Sequence, residues 1–158
     1  MTVLVLLCIF LASYTLADCY EKYRIKRTET SFLPSIQSSG IIVLPFSCQG
    51  TTLNFMIDTG ANCSYIVPSV LNRIKYLDCE ENDTVVSALS TTETKAVQFS
   101  ITYKGVEFTH KFWTLSMEES LNTIEESEGV RIDGILGTDF LRKYGCTVDF
   151  HNFRLYAV

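Results

Sequence analysis

Leu53-Asn54-Phe55-Met56-Ile57-Asp58-Thr59-Gly60-Ala61 is the stretch on which the fold turns. A hydrophobic strand runs into an aspartate, and the chain then turns at once through Thr59 and Gly60. Aspartate is depleted in strand interiors and is rarely buried without partners. A carboxylate at the end of a buried strand, held by a tight loop, is therefore either a turn cap or a catalytic group.

The flanking sequence delivers the chain to that aspartate. Residues 41–48 read as a strand, Gln49-Gly50 as a turn and residues 51–57 as the return strand. Pro45 lacks an N–H, so the first of these strands lies at an edge or carries a bulge. Beyond the aspartate, residues 65–67 suit a short strand and residues 68–74 a helical turn opened by Pro68. Residues 84–90 and 94–103 are rich in β-formers and predict a second hairpin, and Lys104-Gly105 is a further turn. Residues 106–115 alternate, with Val106, Phe108, His110 and Phe112 on one side. Residues 117–128 are acidic with Leu121 and Ile124 at helical spacing, which predicts a short solvated helix. Residues 132–136 read as a strand, with Thr138 as N-cap of a helix that Gly145 stops. Residues 147–150 and 153–156 form a last hairpin. Many short strands separated by turns imply an all-β barrel.

Length, composition and charge narrow the function classes. A chain of 158 residues makes one domain. Apolar residues make up 47% and charged residues 20%, enough to drive folding. The net charge of −5 and the lack of a basic block argue against nucleic-acid binding. Lys22-Tyr23-Arg24-Ile25-Lys26-Arg27 is a short basic run that suits a membrane-proximal flank or an edge strand. Residues 2–17 are almost wholly apolar; as a helix they span about 24 Å, short of the ~30 Å hydrocarbon core. Residues 1–17 are thus expected to be a cleaved signal peptide, with a retained anchor or a lipidated Cys19 as alternatives. Export to the periplasm, the cell envelope or the outside follows, with membrane association open. Residues 18–40 read as an N-terminal edge segment and a Ser/Pro linker. Five cysteines remain after the leader, without a Cys-x-x-Cys pair, and the two histidines are isolated, so no metal site is expected.

Asp58-Thr59-Gly60-Ala61 is joined, further along, by Ile135-Leu136-Gly137-Thr138-Asp139-Phe140-Leu141, then by Val148-Asp149-Phe150 and Arg154-Leu155-Tyr156. This combination resembles the retropepsin-like aspartic proteases, more the bacterial and cellular members than the viral ones, over residues 41–158. The resemblance implies a closed acid-protease barrel with one to three short helices. It implies that Asp58 is catalytic, that Thr59 braces the opposing loop and that Gly60 lets the backbone approach the carboxylate. Ile135, Leu136 and Gly137 pack behind the loop. Ala61 stands where pepsin-like relatives carry a hydroxyl, which implies a higher pH optimum. No cofactor is implied.

Peptide hydrolysis by carboxylates takes two of them on one water: one accepts its proton while the other, protonated, polarises the carbonyl. The sequence holds one Asp-Thr-Gly. The resemblance takes the second carboxylate from a second copy across a two-fold axis, so a homodimer is expected. Rivals within the chain are Asp133, Asp139 and Asp149. Their plainer roles are part of the strand entering Ile135, a first-turn helix acid and a strand-end residue. The substrate is expected to be an extended polypeptide beneath a flap. The candidate flap, Leu89-Ser90-Thr91-Thr92-Glu93, has no glycine, unlike viral flaps. An aspartic endopeptidase is the leading expectation. A non-catalytic binding or assembly module on the same fold, or a self-processing protease, is the alternative.

Overall fold

The computed structural model describes residues 13–16, 29–86 and 91–157. Of the expected leader only residues 13–16, a helical turn, are among them; the rest of 1–17, residues 18–28, and Leu89 and Ser90 of the expected flap lie outside the described residues. No helix among the described residues is long and apolar enough to cross a membrane.

The hairpin of β2 (Val43–Cys48) and β3 (Thr51–Ile57) forms as expected, with Leu44 opposite Phe55. Gln49 and Gly50 both take positive φ, 50° and 84°, the two-residue turn whose twist matches the strands it joins. β8 (Gly134–Leu136) runs parallel to β3, with Ile57 opposite Leu136. β4 (Tyr65–Ile66) lies antiparallel to β8 and parallel to β7 (Val106–Thr114). β6 (Thr91–Tyr103) pairs with β7 and returns to β2 through Ser47 and Thr102. These six strands close a barrel. β2 meets β6 at that one position, so the strand around Pro45 is open on one side, as its missing N–H requires. β5 (Leu77–Val86) pairs only with β6 and forms the second hairpin.

Alternation fills the barrel. Leu53, Phe55 and Ile57 of β3 point in, as do Phe108, His110 and Phe112 of β7. Phe99 stacks on Phe112 at 4.3 Å, and Phe46 meets Phe55 edge-on at 5.6 Å. Each fully buried phenylalanine contributes about 2 kcal/mol of apolar burial. Cys48, Cys79 and Cys146 are free thiols. Burial pushes the Cys48 thiol up and the Cys146 thiol up to about 11, so both behave as small apolar side chains.

A second, three-stranded sheet runs β1 (Thr30–Ser31), β10 (Arg154–Tyr156), β9 (Thr147–Asp149). β9 and β10 are the expected last hairpin. The expected linker over residues 34–40 is instead part of a helix, α1 (Leu33–Ser39). Its Ser and Pro have helical uses. Pro34 sits in the first turn, and Gly40, at φ 69°, closes the helix by donating to the Ile36 carbonyl. Ser35 donates its hydroxyl to the Ile41 carbonyl and accepts from the Val43 N–H, clasping the helix to β2. The acidic helix α2 (Glu118–Glu128) forms, with Leu121 buried and the glutamates of its last turns exposed.

The helix α3 (Thr138–Lys143) starts one residue earlier than expected. Gly137 holds the N-cap position, and Thr138 caps nothing. The Gly145 stop is as expected: Gly145 donates to the Arg142 carbonyl and Cys146 to that of Leu141, with Gly145 at φ 56°.

Candidate active site

β3 ends at Ile57, and Asp58 is the first residue of the loop that follows. Its backbone N–H donates to the Leu136 carbonyl at 3.1 Å, so the β3–β8 ladder extends one residue into the loop. Ala61 N–H returns to the Asp58 carbonyl at 3.3 Å and closes the turn. Gly60 N–H donates to Asp58 Oδ1 at 2.8 Å. A β carbon on Gly60 would sit 3.1 Å from that same oxygen, a contact that the carboxylate would have to relieve by a shift of a few tenths of an ångström. Asp58 is half-buried, and Gly60 N–H is the only donor to its carboxylate among the described residues. The Thr59 side chain is exposed at the tip of the loop.

Of the three residues expected behind the loop, Leu136 accepts the Asp58 N–H and Gly137 lies against the Ala61 and Cys63 carbonyls, while Ile135 pairs with Met56 and Tyr65. Thr138 donates both its N–H, at 2.8 Å, and its hydroxyl, at 3.1 Å, to the Ala61 carbonyl. Its hydroxyl therefore serves the Asp58 loop instead of the helix. A β carbon on Gly137 would lie 2.9 Å from the Ala61 carbonyl oxygen and against that of Cys63. One on Gly134 would lie 2.5 Å from the Tyr65 carbonyl oxygen. Both glycines are needed because the loop and β4 cross β8 at backbone contact.

The rival aspartates are engaged elsewhere. Asp133 is buried; it accepts from the Asn54 N–H at 2.9 Å, from Arg73 at 2.7 Å and from Arg131 at 3.3 Å. In the β3–β8 register Gly134 faces Phe55, so Asp133 lies at the Asn54 level, four residues before Asp58. At the rise of a strand that is about 13 Å, too far to share a water. Asp139 accepts from the Ser64 N–H at 3.0 Å, the Ser64 hydroxyl at 2.7 Å and the Phe140 N–H at 2.7 Å, and lies 3.2 Å from His110 Nε2. Burial works to raise its pKa, but the hydrogen bonds from His110, Ser64 and the two backbone amides win and hold it at about 2. Asp149 accepts from Asn152 and from the His151 N–H, and these bonds lower its pKa, led by that from the Asn152 side chain. It is the turn residue of the last hairpin.

Of the expected flap, Thr91, Thr92 and Glu93 open β6, opposite Val86, Val85 and Thr84. The β5 arm carries a register shift between Asp78 and Asn82, with Glu80 at φ 53°.

Ser64 and His110, two residues outside the sequence motifs, complete the Asp139 network. Ser64 is fully buried, and besides its two bonds to Asp139 its oxygen accepts the Gly137 N–H at 3.1 Å. A histidine on an otherwise apolar strand face needs a partner, and that was the available signal.

Solved structures share this architecture. The EIAV protease in complex with the inhibitor HBY-793 superposes with a TM-score of 0.51 at 18% identity, over 70% of this chain and 93% of that one. The retroviral protease-like domain of Ddi1 from Leishmania major does so with a TM-score of 0.54 at 14% identity, over 75% and 94%. At these identities the likeness is one of fold, the retropepsin-like fold. No curated protein matches the sequence significantly. The family model described as aspartyl protease matches residues 44–140, more than half the chain and inclusive of both the Asp58 loop and the strand behind it. The chain belongs to the aspartyl protease family.

Proposed function

We propose that the protein is an aspartic endopeptidase that works as a homodimer. Two Asp58 carboxylates, one from each copy, hold and activate the attacking water across a two-fold axis. The observation that carries this reading is the state of Asp58. It stands on a braced loop with one backbone donor, while Asp133, Asp139 and Asp149 are each committed to other partners. The exposed Thr59 on the same loop suits contact with the partner's loop. The substrate is an extended polypeptide that adds a strand between the β5–β6 hairpin and the Asp58 loop. The apolar residues 2–17 support export of the enzyme, with a signal peptide or an anchor at its start.

The test is Asp58→Asn beside the wild type on a peptide library, with native mass measured in parallel. Cleavage by the dimeric wild type and its loss by at least about a thousandfold in the variant are expected. Equal activity in the two proteins removes Asp58 from the chemistry, and a strictly monomeric wild type that still cleaves removes the dimer. A stable dimer that cleaves nothing favours a binding module on this fold.

A further inference from the structure

His110 is 5% exposed on the inward face of β7. Phe112 and Phe140 meet its ring nearly edge-on at 5.2 Å, and Tyr144 lies at 6.0 Å. An imidazole in such a cage costs free energy unless its polar atoms are paired. Nδ1 has no hydrogen-bond partner among the described residues, so the polar return comes through Nε2, 3.2 Å from Asp139 Oδ2. An ionised carboxylate only accepts, so Nε2 carries the proton.

The place of that one bond gives it its meaning. The other donors to Asp139 are Ser64, which belongs to the segment being held, and Phe140, on the helix of Asp139 itself. His110 is the donor that comes from the barrel wall. Ser64 ends the loop that starts at Asp58, and its hydroxyl is the link between Asp139 and the Gly137 N–H. A carboxylate held only by the loop and its own helix can turn with them. A third donor on a rigid strand fixes its plane.

We infer that His110 is a positioning residue for the catalytic loop: by donating Nε2–H to Asp139 it holds the carboxylate that fixes Ser64, and through Ser64 the loop that carries Asp58. The catalytic consequence rests on the proposed function; the structural consequence does not. Catalysis is sensitive to displacements near 1 Å, so a looser Ser64 lowers turnover more than substrate binding. If His110 only filled space, phenylalanine would fill the aromatic cage as well or better.

The experiment compares His110→Phe, His110→Gln and wild type. Amide hydrogen exchange is read at Ser64 and Gly137, kcat and KM are read on a cleaved peptide, and 15N NMR reports the His110 tautomer. In His110→Phe the Ser64 and Gly137 amides are expected to exchange about tenfold faster than in wild type, with kcat reduced and KM near its original value. His110→Gln places an N–H donor near the position of Nε2 and is expected to restore both. Wild-type exchange at Ser64 in His110→Phe overturns the inference. So does uniform acceleration of all core amides in both variants, which marks a packing role. An Nδ1–H tautomer in the wild type overturns it even if the phenylalanine variant fails to fold. Absence of cleavage by the wild type defeats the proposed function alone, because exchange at Ser64 still decides the role of His110.

Discussion

Asp139 shows how one side chain sets an acid limit on the fold. Its pKa falls from an ordinary 3.8 to about 2 because the ionised form is the one that accepts the bonds from Ser64, His110 and Phe140. A carboxylate with a depressed folded pKa adds stability that is full above its unfolded pKa and is lost as the pH falls through the folded value. The window is therefore from about pH 4 down to about pH 2. Discounted for solvent screening, the contribution is about 1 kcal/mol. Melting temperatures followed from pH 7 to pH 2 should show an acid limb that Asp139→Asn flattens, with the variant less stable at neutral pH. A limb of the same depth in the variant would assign acid sensitivity to other carboxylates.

Between elements, the decisive contact is that of the Asp58 loop and β4 with β8. Gly137 gives it no room for a β carbon, and the obstacles are carbonyl groups that cannot rotate aside. Gly137→Ala should cost about 3 kcal/mol, read as a lower urea midpoint, and should lower activity further than the stability loss explains. This packing was legible in the sequence because it leaves local marks: an aspartate ending an apolar strand, and a glycine after two apolar residues. The helix at residues 33–39 was hidden because its capping residues, Pro34 and Gly40, and its clasp, Ser35, are also what linkers are made of. The Ser64–Asp139–His110 network was hidden because its members are far apart along the chain and each has an ordinary local role. The partners that engage Asp133, Arg73 and Arg131, lay beyond local reading for the same reason.

At the scale of the whole molecule, the proposed function gives each chain half of a two-carboxylate site, and the proposed dimer makes activity a property of concentration. Specific activity should fall on dilution in step with a shift from dimeric to monomeric mass, and should recover on concentration or with saturating peptide. Specific activity independent of concentration through that same mass transition would separate catalysis from pairing.

The small sheet of β1, β10 and β9 limits how far the chain can be shortened from its N-terminal side. Its central strand, β10, is flanked by β9 on one side and on the other by β1. Phe32, directly after β1, is fully buried, donates its N–H to the Phe153 carbonyl at 3.0 Å and packs edge-on against Phe150 and Phe153. Removal of the chain through Phe32 would unzip β1, bare one edge of β10 and empty the Phe32 socket. Trimming from the front therefore has a hard stop at Thr30, set by the far end of the chain.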